Sequence, residues 1–194
     1  LEAMAPKIAP HVQEGTLIVS LLAGASLDTL SDAFDGHKAL VRAMPNTPIA
    51  VGQGVVGLMP GEHASESERE LARALFEKSA TVVEIPEHQV HGVIGAAGSA
   101  SAYFFLIAEA MIDEAVAEGF TRAVATDLVV GTMLGSATLL HETGEAPTSA
   151  RYAVTSPGGA TAQAIAALEE GGIRALMARG MRAAADTSRK MEER

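Results

Sequence analysis

A proline- and glycine-rich segment, residues 155–161 (TSPGGAT), has the residue types of an anion-binding helix start. Ser156 is a preferred N-cap residue, and Pro157 suits the first helical position. Gly158 and Gly159 would then lie in the first turn, where each lowers helix stability by roughly 1 kcal/mol relative to alanine. This pattern indicates that a carboxylate or phosphate approaches the free N–H groups closely. The alternative is an ordinary Ser-Pro cap with a flexible first turn.

A second motif, residues 52–57 (GQGVVG), satisfies the dinucleotide-binding expression G-x-G-x-x-G but lacks its context. That motif requires a strand, a glycine turn and a helix N-terminus in order, so that the pyrophosphate meets the helix dipole. Residues 58–61 (LMPG) follow here instead of a helix. We therefore predict a strand punctuated by glycines, and we expect any dinucleotide fingerprint to lie upstream of Leu1.

Two histidines have a spacing that a metal site could use. His88 and His91 stand at i and i+3 and would share one face of a helix. No third ligand is evident in the sequence, so a solvated pair is the favoured interpretation and we predict no metal.

Composition limits the partners that the chain can bind. The 194 residues carry 24 acidic and 14 basic side chains, and the net charge of -10 argues against nucleic acid or an anionic membrane. The absence of cysteine fits a reducing compartment. The longest apolar stretch, 102–112, is interrupted by Glu109 and is shorter than a bilayer requires. We expect a soluble cytoplasmic protein. Because the first residues from Leu1 have the pattern of a helix that is already under way, we also predict that the chain is a fragment.

Strand and helix signals alternate up to residue 87. Short apolar runs bounded by turn residues predict four strands, at 16–22, 39–42, 55–59 and 81–85. Ser26 predicts one helix start, and Ser65 with Glu68 forms a capping-box pattern that predicts another. Prolines at both ends place residues 45–48 in a loop. This alternation is typical of a layered α/β domain, which we assign to residues 1–87.

The apolar period is helical from residue 88 onward. Alanine-rich patterns predict helices at 102–118, 121–141, 160–170 and 174–191. Small residues such as Gly131 and Gly135 permit close helix approach, and an apolar helical half commonly buries its surface in a dimer. We therefore expect an all-helical dimerisation domain at 88–194, with a self-sufficient bundle as the alternative.

Four segments, taken in order, resemble the successive signatures of the pyrroline-5-carboxylate reductase family. They are 41–48 (VRAMPNTP), 97–103 (AGSASAY), 154–161 (VTSPGGAT) and 168–172 (LEEGG). The resemblance covers nearly the whole chain and implies a partial Rossmann-like domain followed by a helical domain that intertwines with its partner in a homodimer or a ring of dimers. The implied reaction is hydride transfer from NADPH or NADH to the cyclic imine of 1-pyrroline-5-carboxylate, which gives proline.

The resemblance also implies which residues face the cofactor. Six would lie at its nicotinamide end: Ala23, Gly24, Met44, Pro45, Asn46 and Thr47. These residues form two segments, 23–24 and 44–47, and both follow predicted strands, at the end where ligands bind in α/β domains. Asn46 is a candidate for bonding the nicotinamide amide, and an Asx-turn residue between prolines is the alternative.

The resemblance implies that four residues bind the substrate carboxylate, chiefly through backbone N–H groups: Ser156, Gly158, Gly159 and Thr161. Thr161 would contact the ring nitrogen or a nearby water and is the candidate catalytic residue; an ordinary first-turn threonine is the alternative. A cyclic imine is readily protonated, so no general acid is obligatory. Thr161, Tyr103 or a water could assist, although Tyr103 is also predicted as a core residue with its hydroxyl satisfied at an edge.

One signature departs from the family pattern. Residues 97–103 are AGSASAY where the family has Ser-Gly-Ser-Gly/Ser-Pro-Ala-Tyr, so the first serine and the proline are missing. Without that proline, Ser101 is expected to cap the helix. A related cyclic imine acid is therefore an alternative substrate, and a dimerisation scaffold without turnover is an alternative function.

Overall fold

A four-stranded mixed sheet organises the first of two compact units. The structure is a computed structural model that describes residues 1–192; one unit comprises Leu1–Ser101 with the described residues from Arg179 onward, and the other Ala102–Ala178. The strands lie in chain order across the sheet, as β1 (Ile18–Ser20), β2 (Leu40–Pro45), β3 (Gly54–Pro60) and β4 (Ala80–Glu84). β1 and β2 are parallel, as are β3 and β4, whereas β2 and β3 are antiparallel. The predicted α/β class is confirmed, and the boundary at 87/88 stays a prediction.

Two strand limits differ from the predicted ones. β1 occupies only three residues of the apolar run at 16–22. β2 extends to Pro45, which is paired with Val56, so the prediction of a loop at 45–48 is wrong for Pro45. Proline is accommodated there because it ends the strand and interrupts no ladder beyond it. A short 3-10 helix, Thr47–Val51, follows.

Serine side chains cap two of the helices in the first unit. The helices of this unit include α1 (Ala5–Ile8), α2 (Leu27–Ala33), α3 (Glu66–Ala74) and α4 (Val90–Val93). Ser26 Oγ accepts a hydrogen bond from the Thr29 N–H at 3.1 Å, as predicted. The predicted capping box is also confirmed, because Glu68 Oε2 accepts from the Ser65 N–H at 2.7 Å while Ser65 Oγ accepts from the Glu68 N–H at 3.4 Å.

The core of this unit lies on both faces of β2. Val41 and Ala43 pack on one face with Val56, Leu58 and Ala72. The alternate residues face the other way, where Leu40 joins a cluster with Leu30 and Phe34, and Met44 joins Met59 and Val90. Because side chains alternate across a strand, Arg42 belongs to the same buried row as Leu40 and Met44. A charged residue in that row requires partners.

The second unit is helical. It contains most of α5 (Ala100–Ala117), then α6 (Arg122–Thr143), α7 (Pro147–Ala153), α8 (Ala160–Glu170) and the start of α9 (Ile173–Glu192). The four long helices are as predicted to within a few residues, and the short α7 was not predicted. The expectation that Ser101 caps a helix is wrong: a π-helix at Ile94–Gly98 leads almost directly into α5, so Ser101 lies inside a continuing helical run.

Two helical stretches are long and apolar enough to cross a membrane by length and composition alone, Glu87–Ala117 and Arg122–Thr143. The expectation that no stretch reaches that length is therefore wrong, because the helix extends well upstream of residue 102. Little of either stretch is buried. Large apolar side chains of α5 and α6 are exposed, among them Phe104, Phe105, Leu106, Leu128 and Leu134. An apolar surface of this extent marks an interaction surface.

Candidate functional site

Both predicted cofactor segments lie at one edge of the sheet. β1 and β2 are parallel with Ser20 opposite Arg42, so their carboxyl ends point to the same edge. Ala23 and Gly24 follow β1, and Asn46 follows β2. Ligands of α/β sheets bind in the crevice outside the carboxyl ends of such strands. This edge is therefore the candidate site of the first unit.

The side chain of Asn46 joins three backbone segments at this edge. Its Oδ1 accepts a hydrogen bond from the Val55 N–H at 2.8 Å, and its Nδ2 lies 3.4 Å from the carbonyl oxygen of Ala97. The amide oxygen is thus engaged across the β2–β3 connection instead of in an Asx turn. The Nδ2 contact links the first family-like signature to the second, and a contact between Asn46 and a nicotinamide amide stays a prediction.

Ala97 reaches this edge because the helical run after β4 crosses one face of the sheet. Val90 packs with Met44 and Met59, and Val93 and Ile94 extend the same cluster. The run then passes through the π-helix Ile94–Gly98, where the Ser99 N–H donates to the Ile94 carbonyl oxygen at 2.7 Å. π-helical turns are frequent at functional sites.

The glycines of the motif at 52–57 have structural roles. Gly52 ends the 3-10 helix with φ 73°. A Cβ built on Gly54 would lie 2.8 Å from the Cβ of Ile49, and one built on Gly57 would lie 2.9 Å from Cγ1 of Val93. Gly57 therefore lets the crossing helix lie directly on β3. The prediction of a glycine-punctuated strand is confirmed, because β3 continues to Pro60 where the dinucleotide motif would require a helix start.

A buried arginine holds the carbonyl group of Ala23. Arg42 is fully buried, and its Nη2 donates to the Ala23 carbonyl oxygen at 2.6 Å. Its Nη1 donates to Oε1 of Glu87 at 3.0 Å and to Oε1 of Glu192, the last residue of α9, at 2.6 Å. Oε1 of Glu87 also accepts from the Leu27 N–H at 2.7 Å. The guanidinium thereby ties β2 to the segment after β1 and to the end of α9.

His91 continues this polar network. Its Nε2 lies 3.1 Å from Oε2 of Glu192, and its Nδ1 lies 2.9 Å from Oγ of Ser188. The prediction of a solvated histidine pair is therefore wrong for His91, whose side chain is 14% exposed, whereas His88 is exposed. Among residues 1–192, no cluster of three His, Asp or Glu side chains could hold a metal ion.

A cavity of about 440 Å³ lies beside the Ala23 segment. Its lining includes Ala23, Ser99 and three small residues of α9: Ala183, Ala184 and Ser188. Close approach of α9 depends on Gly95, where an added Cβ would lie 2.8 Å from the Met181 carbonyl oxygen. Cavities of a few hundred Å³ accommodate small ligands and cofactor groups.

The glycine-rich loop of the second unit forms a β-turn before its helix. The Gly159 N–H donates to the Ser156 carbonyl oxygen at 3.0 Å, and Gly158 has φ 72°. Proline followed by a glycine with positive φ is the signature of a type II turn. α8 consequently begins at Ala160, with Gly159 as its N-cap and no side-chain cap bond. The prediction that Ser156 caps the helix is wrong, because the φ of Gly158 is not helical.

The anion-binding potential of this loop does not depend on that cap. The Gln163 N–H donates to the Gly159 carbonyl oxygen at 3.2 Å, which leaves the N–H groups of residues 160–162 without an intrahelical acceptor. Thr161 is exposed in this first turn. The hydroxyl of Tyr103, predicted to be satisfied at an edge, is instead buried and has no hydrogen-bond partner in the described part of the chain.

The signature at 168–172 ends α8 with an ion pair and two glycines. Arg174 Nε lies 2.9 Å from each carboxylate oxygen of Glu169, and its Nη2 lies 2.7 Å from Oε1. These hydrogen bonds lower the pKa of Glu169 and raise that of Arg174. Gly172 has φ 76°, a conformation that reverses the chain between α8 and α9. The pair thus bridges the end of α8 and the start of α9.

Comparison with known proteins decides the family. Residues 87–191, more than half of the chain, match the family model described as pyrroline-5-carboxylate reductase dimerisation. The chain belongs to the pyrroline-5-carboxylate reductase family. The reductase of Synechocystis sp. is 39% identical over 175 residues, which cover 90% of this chain and 65% of that protein. The chain therefore spans less than two thirds of that relative's length.

Solved structures of the reductase family share the fold. The pyrroline-5-carboxylate reductase of Coxiella burnetii has a TM-score of 0.92 and 32% identity, covering 98% of this chain and 71% of that one. The pyrroline carboxylate reductase of Plasmodium falciparum, solved with NADP bound, has a TM-score of 0.88 and 25% identity, covering 98% and 76%.

The predicted site residues of this reductase-family chain fall into two groups. The structure brings Ala23, Gly24 and the segment at 44–47 to one edge of the sheet in the first unit. It places Ser156, Gly158 and Gly159 in one turn of the second unit, and Thr161 in the first turn of α8, which follows it.

Sequence reasoning missed the polar network behind the first group. Arg42 was treated only as the end of a strand, and Glu87, Glu192 and Ser188 were given no role. The available signal was one arginine inside the apolar run at 40–44, since arginine is rarely buried unless it is paired. Its partners lie 45 and 150 residues away, so no local pattern could name them.

Proposed function

We propose that this protein is an NAD(P)H-dependent reductase that transfers a hydride to the imine carbon of 1-pyrroline-5-carboxylate and forms L-proline. The observation that carries the proposal is the edge where Asn46 links the first signature to Ala97 of the second. Membership of the reductase family supports the reaction class, and the NADP-bound relative supports a nicotinamide cofactor.

The residues at the sheet edge fit the nicotinamide end of such a cofactor. Ala23 lines a cavity of about 440 Å³, and Gly24 follows it without a side chain. Asn46, with its neighbours Met44, Pro45 and Thr47, would hold the carboxamide side of the ring. When bound, NADPH or NADH supplies the hydride. Asn46, Ala23 and Gly24 would orient the ring and keep water from the transfer path.

The loop before α8 would bind the substrate carboxylate. The type II turn at 156–159 leaves an uncapped helix start, and its N–H groups favour an anion. Ser156, Gly158 and Gly159 would contribute backbone contacts, and Thr161 would hold the ring nitrogen or a water that carries the proton. Because a cyclic imine is readily protonated, orientation and exclusion of water supply most of the catalysis.

A steady-state assay of the full-length protein tests this function. We expect NADPH or NADH to be oxidised in the presence of pyrroline-5-carboxylate, with saturation in both. A parallel assay with a six-membered cyclic imine acid distinguishes the related substrate. Cofactor oxidation no faster than the substrate-free background with either imine would overturn the proposal and favour a scaffold without turnover.

We also propose that the protein acts as a cytoplasmic homodimer formed by its C-terminal helices, alone or within a larger ring. The exposed apolar side chains of α5 and α6 lie inside the segment that matches the dimerisation model. Burial of these side chains in a dimer would explain why the two helical stretches are apolar enough to cross a membrane. Recovery of the protein in the soluble fraction as a dimer supports this; recovery in washed membranes would contradict it.

A further inference from the structure

The last turn of α9 contacts the segment after β1, Ala23 and Gly24, in two ways: through Arg42 and through its own backbone. Arg42 donates to the Ala23 carbonyl oxygen at 2.6 Å and to the Glu192 carboxylate at 2.6 Å. At the next residue, a Cβ built on Gly24 would lie 3.2 Å from the Met191 carbonyl oxygen. One residue of the segment is thus bonded through the arginine, and the other lies against the helix backbone.

Arg42 can act as a link because its side chain is fully buried and its two terminal nitrogens donate to oxygens of three different segments. It is fully buried, and a guanidinium removed from water is stable only where oxygens surround it. Glu87 and Glu192 supply two carboxylates, and the Ala23 carbonyl supplies the third oxygen. Loss of one carboxylate would leave fewer hydrogen bonds to hold the guanidinium in place. The remaining bond to the Ala23 carbonyl oxygen would then be less well oriented.

Glu192 is itself fixed within the last turn of α9. Its Oε2 lies 3.1 Å from Nε2 of His91, and the other nitrogen of His91 lies 2.9 Å from Oγ of Ser188, one turn earlier on α9. Ser188 and Met191 line the same cavity as Ala23. The end of α9 is therefore linked to the candidate cofactor segment by hydrogen bonds through Arg42, and both line the same cavity.

We propose that the last turn of α9, acting through Glu192 and Arg42, positions Ala23 and Gly24 for the nicotinamide end of the cofactor. Glu192 and Arg42 are positioning residues, because neither is placed in contact with the ring. This inference rests on the proposed function. It makes the end of the C-terminal helix a part of the cofactor site, although 150 residues separate Glu192 from Arg42.

Glu192→Gln in the full-length protein tests the inference, because it keeps the side-chain size and removes the charge. We expect the Kd for NADPH, measured by fluorescence titration, to rise about tenfold, since one charge-assisted hydrogen bond is weakened. The KM for NADPH should rise in parallel, and the KM for the imine should not change. Amide hydrogen exchange at residues 23–25 should become faster than in the wild-type protein.

Glu84→Gln is the matched control. Glu84 is a partly exposed carboxylate of the same unit that pairs with Arg69 and has no part in the Ala23 network. It should leave the Kd and the local exchange unchanged. Gly24→Ala changes the same segment where it lies against Met191, and it should also weaken NADPH binding. Because both substitutions act on one segment, their combined effect on the Kd should be smaller than the sum of the two separate effects.

The outcomes separate the inference from the function on which it rests. If the Glu192→Gln variant binds NADPH as tightly as the wild-type protein does, the inference is overturned and the reductase proposal still stands. Wild-type protein that neither binds NADPH nor oxidises it overturns the proposed function and the inference with it. A selective loss of NADPH affinity and of exchange protection at 23–25 supports the inference.

Discussion

The side-chain amide of Asn46 faces the carbonyl oxygen of Ala97, with 3.4 Å between Nδ2 and O, while its Oδ1 accepts the Val55 N–H at 2.8 Å. One side chain therefore connects the loop after β2, the start of β3 and the π-helix that precedes α5. The first two family signatures are separated in sequence by about fifty residues and meet at this side chain.

Asn46→Ala should destabilise the fold. The substitution leaves the Val55 N–H without its side-chain acceptor, and an unpaired backbone donor costs about 1–3 kcal/mol. We expect the free energy of unfolding, measured by urea denaturation, to fall by that amount. Thr47→Ala at the exposed neighbour should have little effect. Equal unfolding midpoints for the two variants would show that the Asn46 contacts contribute nothing.

Gly57→Ala should separate the crossing helix from β3. The new Cβ would lie 2.9 Å from Cγ1 of Val93, which forces a backbone or side-chain shift that costs about 1–3 kcal/mol. Val93→Ala in the same chain removes that atom and should restore part of the stability. The control is Gly92→Ala, because a Cβ there meets nothing within 4 Å and alanine favours a helix. A Gly57→Ala protein that melts like wild type contradicts this packing.

Local sequence rules predicted those parts of the fold that local interactions determine. The caps at Ser26 and Ser65 were correct because an N-cap bond spans only three residues. Residues 156–159 were predicted as a helix start capped by Ser156, whereas they form a type II turn and α8 begins at Ala160. Ser-Pro-Gly-Gly suits both a capped helix start and a type II turn, and only the positive φ of Gly158 distinguishes them.

The polar network around Arg42 required the tertiary structure. Arg42 pairs with Glu87 and Glu192 only because the helical run after β4 and the end of α9 return to the same face of the sheet. A sequence pattern marks the arginine as unusual inside a strand but does not identify its partners. Likewise the role of Gly57 follows from its contact with Val93, which no motif expression contains.

Gly158→Ala should impair the loop that is proposed to bind substrate. A residue with a Cβ at φ 72° is strained by roughly 1–2 kcal/mol, so the type II turn would rearrange. We expect a several-fold increase in the KM for the imine and an unchanged KM for NADPH. Gly171→Ala is the control, because Gly171 has φ -67° and a Cβ there makes only ordinary contacts. A selective rise in the KM for NADPH would contradict the assignment of this loop to substrate.

Leu134→Asp should disrupt the proposed dimer. Leu134 is 68% exposed in the single chain and lies on α6, within the segment that matches the dimerisation model. A charge placed inside an apolar interface remains unpaired, so light scattering should report a shift from dimer toward monomer. Leu71→Asp, at an exposed leucine of α3 outside that segment, should remain dimeric. A dimeric Leu134→Asp protein would place the interface elsewhere.

The capping box of α3 should be visible in a carboxyl titration. The hydrogen bonds from the Ser65 side chain and backbone lower the pKa of Glu68 below its ordinary value. A carboxyl group whose folded pKa is depressed contributes stability above its unfolded pKa, and that contribution is lost as the pH falls through the folded pKa. NMR titration should therefore give Glu68 a midpoint below the ordinary value for a glutamate side chain. Ser65→Ala removes the Oγ partner and should move the Glu68 midpoint up toward the ordinary glutamate value. A Glu68 midpoint that does not respond to Ser65→Ala would show that the side-chain half of the box does not form in solution.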